Sequence, residues 1–192
     1  KWGRALPLLE DAYNFEDALL VGSILITFLK NADRVRIACL AQLVNVIAPI
    51  MTRNGKVWEQ TIFWPMMHAS RYGRGTALRP IVSSPVYDCQ DYEKVPLVDA
   101  TAILDDEGNL IIFAVNRDLK EDILLQGDLR AFGSLRVLEH IVLHHDDVKA
   151  VNTEENPKEV IPISIGAEPL DGGRFEIRLP SLSWNVIRLG KA

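Results

Sequence analysis

Val35-Arg36-Ile37-Ala38-Cys39-Leu40-Ala41-Gln42-Leu43-Val44-Asn45-Val46-Ile47-Ala48-Pro49 is the stretch on which the fold reading turns. It begins as a near-continuous apolar run, the signature of a strand buried on both faces of a parallel sheet. It then shows two amides, Gln42 and Asn45, where an apolar run would simply continue. A strand that stays apolar to its C-terminal end and only then turns polar fits the rim of an α/β barrel, where substrates sit. Buried amides must be hydrogen-bonded. Either both tie down the following loop, or one of them meets a ligand such as a sugar hydroxyl. Spacing alone leaves both readings open.

On the N-terminal side of this stretch, Asn14 is a good N-cap, and Glu16 and Asp17 favour the dipole of a first helical turn. A helix is expected from about Phe15 to Asn31. Its apolar residues cover nearly the whole circumference, so it should be buried on more than one side. That much apolar surface is hard to cover within one short chain, and the helix and strand together call for neighbours outside it. The run Ala18–Leu29 is too short to span a bilayer. Helix followed by buried strand is one αβ step. Beyond it, Pro49 and Met51–Lys56 make a loop. Trp58–Tyr72 reads as a second helix, interrupted or begun at Pro65 and ended by Gly73 and Gly75.

From about Ala77 the character changes. Turn signals recur at Asp105–Asn109, Asn116–Asp118, Gly127–Asp128, Asn156–Pro157 and Asp171–Gly173. Between them lie short runs at Leu110–Val115, Asp122–Leu125, Ser134–Leu143, Val160–Ile165, Arg174–Leu179 and Ser183–Leu189. Short strands at such spacing indicate an antiparallel sandwich or barrel. The fold class is therefore α/β followed by all-β. Residues 1–76 read as an incomplete α/β unit and residues 77–192 as a β-sandwich.

Composition agrees with two regions. Residues 1–75 carry nine Lys/Arg against six Asp/Glu, a balance of +3, and the remainder carries twelve against twenty, a balance of −8. The net charge of −5 with no basic stripe argues against nucleic acid as a partner. Cys39 and Cys89 have neither metal-site nor redox-motif spacing, and two free thiols in a reduced cytosol is the simpler reading beside a single disulfide. The chain opens Lys1-Trp2-Gly3-Arg4 without Met and reads as a fragment.

Four stretches carry a resemblance. They are Leu8–Thr52, Gln60–Leu78, Ile111–Leu119 and Leu138–Thr153. Together they closely resemble family 51 glycoside hydrolases, the α-L-arabinofuranosidases, and the likeness covers essentially the whole chain. The resemblance implies a (β/α)8 barrel and a jelly-roll-type β-sandwich. Residues 1–76 would be the C-terminal part of the barrel, supplying its seventh helix (Asn14–Asn31), its eighth strand (Val35–Leu43) and its closing helix (Trp58–Tyr72). In that family the polypeptide's own N-terminal segment also adds to the sandwich.

The implied activity is release of terminal α-L-arabinofuranosyl units from arabinan and arabinoxylan oligosaccharides by retaining double displacement, the alternative being a non-catalytic carbohydrate-binding or interaction β-sandwich module. One Glu would act as acid/base and another as nucleophile. No glutamate here stands in the family's Asn-Glu or Asp-Glu-Trp-Asn setting, so no catalytic residue is assigned in this chain. Within Ala41-Gln42-Leu43-Val44-Asn45, the resemblance makes Gln42 a ligand of the arabinose before the scissile bond. Asn45 is a second candidate, against a loop-fixing role. No metal or cofactor is implied. The implied partners are the arabinose-containing substrate, the N-terminal remainder of the same polypeptide and further copies in a homohexamer. A cytoplasmic location is implied, with no membrane.

The remaining candidates read as structural. Glu10/Asp11 and Glu16/Asp17 are adjacent, and neighbours on a helix do not face each other, so capping and solvation suit them better than paired catalysis. His144-His145-Asp146-Asp147 follows a strand whose successive residues point to opposite faces, which disfavours convergence on one ion. His68 lies among Trp58, Phe63, Trp64 and Tyr72, either a sugar platform or helix-to-sandwich packing, with packing preferred. Trp2 could lie near a pocket mouth.

Overall fold

The computed structural model describes residues 10–166, 170 and 173–191. Helix α1 (Phe15–Lys30) opens it, then a hairpin of β1 (Ile50–Arg53) and β2 (Lys56–Glu59), then helix α2 (Phe63–Tyr72). The rest is β: β3 (Thr76–Leu78), β4 (Val86–Tyr87), β5 (Val95–Pro96), β6 (Val98–Leu104), β7 (Leu110–Asn116), β8 (Ile123–Asp128), β9 (Leu135–His144), β10 (Ile163–Ile165), β11 (Arg174–Leu179) and β12 (Ser183–Lys191).

Six strands form one antiparallel sheet in the order β10-β9-β12-β7-β6-β3. Strand β7 lies near its middle, and all seven of its residues are buried. Both faces of the sheet are covered, which explains an unbroken apolar run where one solvated face would give alternation. On one face, Phe15, Ala18, Leu19 and Ile26 of α1 meet Ile103, Ile111, Phe113, Val115, Leu143 and Trp184. On the other face the two-stranded ribbon β8–β11 lays Phe175, Ile177 and Leu179 on Ala100, Ile112, Ile187 and Leu189. Strand β11 alternates exposed and buried, as a ribbon with one wet face must.

Helix α1 begins as expected. Asn14 Oδ1 accepts the Asp17 N–H at 3.1 Å, and Asp17 Oδ2 accepts the Asn14 N–H at 2.9 Å, a reciprocal capping box. Its closest approach to the sheet is at Gly22, where a Cβ would stand 2.6 Å from Trp184 Cε3. At its other end Lys30 pairs with Asp99 of β6, which Arg117 also reaches at 3.4 Å. Along its outer side Leu20, Ile24 and Phe28 stay exposed at one-turn spacing.

Three expectations for residues 1–76 need correction. Val35–Leu43 is not a strand; no ladder forms there, and Ile37 and Leu43 are 83% and 71% exposed. A parallel strand exists only through hydrogen bonds to neighbours on either side, and among the described residues none lies beside this segment. The described residues therefore hold no (β/α)8 barrel portion, and the molecule is mostly β with two helices. Met51–Lys56 is not a loop but part of the β1–β2 hairpin. Its turn residues Asn54 and Gly55 have φ of 51° and 77°, the left-handed pair that a two-residue hairpin requires. The second helix starts at Phe63, not Trp58, because Trp58 is spent on β2 opposite Met51.

Candidate functional site

The segment carrying Gln42 leaves α1 through a turn in which the Arg34 and Val35 amides donate to the Asn31 carbonyl. It runs past the flank of α2 and returns to the body of the molecule at β1. Two open grooves border it. One, of about 740 Å³, lies between Leu40, Leu43 and Pro49 on one side and Phe63, Met66 and Met67 of α2 on the other. A smaller one, of about 390 Å³, separates Val35–Ala38 from Phe28 and Leu29 of α1.

Gln42 sits on the exposed crest of this segment, after a cis Ala41–Gln42 peptide bond. Its amide is solvent-facing, not buried, and it has no hydrogen-bond partner among the described residues. A neutral amide placed this way can donate to one hydroxyl and accept from another.

Asn45 is differently placed. Its Oδ1 accepts the Thr52 N–H at 2.7 Å, and its Nδ2 donates to Thr52 Oγ1 at 2.9 Å. Its backbone N–H donates to the Ile50 carbonyl at 2.8 Å. These contacts use the side chain to fasten the loop to β1. Asn45 and Val46 both adopt the left-handed conformation, with φ of 62° and 61°. Asn tolerates that region, whereas a β-branched Val disfavours it, so the surrounding contacts must hold the turn in place.

The other candidates resolve into structural roles. His68 is buried between α2 and β12, and its Nδ1 accepts the Trp184 Nε1–H at 3.1 Å. Tyr72 stacks on its ring at 6.4 Å, and the Arg188 guanidinium lies 4.7 Å from the Tyr72 ring centre. Burial pushes the His68 pKa down to about 4, with Glu139 pulling it up and Arg71 adding to the depression. Trp64 donates from Nε1 to the Val160 carbonyl at 3.1 Å. The aromatic group thus joins helix to sheet.

Glu10 pairs with Arg53 at 2.5 Å, Glu16 pairs with Lys149, and Asp17 completes the helix cap. His144 faces Asp146 at 3.5 Å, while His145 turns to Glu159 at 3.3 Å and accepts the Asp147 N–H. Among the described residues no three His, Cys, Asp or Glu side chains are grouped to hold a metal. Cys39 and Cys89 are both exposed free thiols. Trp2 lies outside the described residues. No described helix is long and apolar enough to cross a membrane.

Comparison with protein families places this geometry. Residues 2–183 match the family model of the alpha-L-arabinofuranosidase C-terminal domain. The chain belongs to that family. The domain is 57% identical over 192 residues to an intracellular exo-alpha-(1->5)-L-arabinofuranosidase of Halalkalibacterium halodurans, and 55% identical over 192 residues to one of Bacillus subtilis. In each case the match covers 99% of this chain and 38% of the relative, so the domain spans well under half of either. Among solved structures it resembles a family 51 alpha-L-arabinofuranosidase from Bifidobacterium longum, with a TM-score of 0.86 at 39% identity, over 98% of this chain and 38% of that one. An arabinose complex of a Thermotoga maritima alpha-L-arabinofuranosidase matches with a TM-score of 0.84 at 25% identity, over 94% of this chain and 39% of that one.

Proposed function

We propose that this domain is the C-terminal part of an intracellular, retaining exo-α-L-arabinofuranosidase, and that it supplies one sugar contact, Gln42, but neither catalytic carboxylate. The observation that carries the reading is the family match over residues 2–183, joined to two relatives above 50% identity whose names state that activity. Substrates would be terminal α-L-arabinofuranosyl units of arabinan or arabinoxylan oligosaccharides. Chemistry would follow the two-carboxylate retaining route, in which one Glu attacks the anomeric carbon and the other first protonates the leaving oxygen and then activates water. Both would come from the remainder of the polypeptide, within a (β/α)8 barrel.

Gln42 suits the assigned role because it is exposed, unpartnered and uncharged. It can fix hydroxyl orientation without perturbing the pKa of a nearby carboxylate. The word intracellular in the relatives' names supports a cytoplasmic setting. Homohexameric assembly and a place in arabinan catabolism rest on the family resemblance alone. The exposed apolar side of α1 and the grooves beside Val35–Leu43 are where the remainder of the polypeptide would lie.

The test is steady-state hydrolysis of an aryl α-L-arabinofuranoside by the intact enzyme carrying Gln42→Ala. Loss of a neutral hydrogen bond to a bound sugar should weaken kcat/KM by about tenfold, corresponding to about 1.4 kcal/mol. An unchanged kcat/KM would remove Gln42 from the site.

A further inference from the structure

The loop bearing Gln42 ends in a turn that its own backbone does not favour, at Asn45 and Val46. Beside the Asn45 bonds to β1, the root of the loop just after that turn is held by Gln60, which follows β2 and is 2% exposed. Gln60 Nε2 donates to the Ala48 carbonyl at 2.8 Å and to the Asp11 carbonyl at 3.1 Å. Its Oε1 accepts the Tyr13 N–H at 2.9 Å, and its backbone N–H donates to the Pro49 carbonyl at 2.8 Å. A single residue thus joins residues 11–13, which lead into α1, to residues 48–49, which close the Gln42 loop. Two more bonds cross the same junction: the Asp11 N–H donates to the Val46 carbonyl at 2.8 Å, and Tyr13 Oη–H to the Ile47 carbonyl at 3.1 Å.

We propose that Gln60 is a positioning residue for the sugar contact, clamping the segment before α1 to the root of the Gln42 loop so that the Gln42 amide is held in place before substrate arrives. The proposal rests on the reading of Gln42 as a sugar ligand. Only a carboxamide satisfies this junction, because two carbonyl oxygens require two N–H donors while an opposing backbone N–H requires an acceptor on the same side chain. A carboxylate would set one of its oxygens against two carbonyls, in place of the donating Nε2. An apolar side chain would leave backbone groups buried without partners. Preorganisation of this kind acts through geometry, and displacement of a contact by an ångström is enough to be read in kinetics.

The test uses the intact enzyme carrying Gln60→Leu, Gln42→Ala and the two together, with aryl arabinofuranoside kinetics and amide hydrogen exchange on each. Gln60→Leu is expected to raise KM about tenfold and to speed exchange in residues 10–14 and 45–48. Added to Gln42→Ala, it should cause little further loss, since both act through one contact. If the two effects multiply, if KM is unchanged, or if exchange at those residues stays slow, the positioning role is overturned. If Gln42→Ala itself leaves the kinetics unchanged, the sugar-contact reading falls, and the proposal with it. Should Gln60→Leu fail to fold, Tyr13→Phe removes only the surface bond across the same junction. It should raise KM about two- to fourfold with the same non-additivity, and an unchanged KM would overturn the clamp.

Discussion

At the scale of single residues, two amides three positions apart have been put to different uses. Gln42 keeps its hydrogen-bonding capacity free, whereas Asn45 gives its own to Thr52. Replacing Asn45 by Ala should therefore act on the loop before it acts on substrate. Two hydrogen bonds and a residue tolerant of positive φ would be lost, with an expected cost of about 2 kcal/mol in stability, read from the denaturant midpoint. A stability loss under a few tenths of a kcal/mol would mean that the Thr52 contacts do not hold the loop. His68 makes a pH prediction. Its Nδ1 accepts a hydrogen bond from the Trp184 indole N–H, so the folded state needs the neutral ring, and its pKa is about 4 against about 6.5 when unfolded. Between those values the unfolded chain binds more protons, so stability rises with pH there. The contribution is full above about pH 6.5, falls as the pH drops below that, and is exhausted near pH 4, a loss of about 3 kcal/mol. Unfolding midpoints measured from pH 7 to pH 4 should show this slope, and His68→Gln should flatten it; an equal slope in both proteins would exclude His68 as its source.

At the scale of elements, α1 is the most informative. Asn14, Glu16 and Asp17 announce its start in the sequence, and the capping box is present. Its apolar circumference is legible too, but which surface covers it is not. Helix α1 lies on the six-stranded sheet, with Gly22 seated on the Trp184 ring. Gly22→Ala would gain about 1 kcal/mol in helix propensity but drive a methyl into a fully buried ring. A net destabilisation of about 1–2 kcal/mol is expected from the thermal midpoint, and an equal or raised midpoint would show that α1 can lift off without cost. Most strands after Leu110 were readable because turn residues and short apolar runs are local signals, whereas β6 (Val98–Leu104), with β4 and β5, was not among the runs read from the sequence. Val35–Leu43 was misread because its apolar pattern specifies burial, while strand structure also requires partners to bond. The β1–β2 hairpin carried its signal openly in Asn54-Gly55, but the flanking residues alternate too weakly to stand out. Gln60 carried no signal at all. An amide beside Thr61 looks like any surface polar residue until the fold folds two loops over it.

At the scale of the whole molecule, one sheet is covered by helices on one face and by a ribbon on the other, yet apolar surface remains uncovered around Leu20, Ile24, Phe28, Ile37 and Leu43. The chain spans 38% of its relatives, and under the proposed function that surface is the side on which the rest of a larger polypeptide would rest. Function at this scale came from resemblance more than from residue patterns, since the proposed role of Gln42 rests on a family motif and not on a set of reacting groups. The direct test is hydrolysis of an aryl α-L-arabinofuranoside by residues 1–192 alone, and then after mixing with the upstream remainder of the enzyme. No release of arabinose by the domain alone, and release once the two parts are combined, is the expected result. Turnover by residues 1–192 alone would contradict the account, because it would require a catalytic carboxylate pair within a chain assigned none.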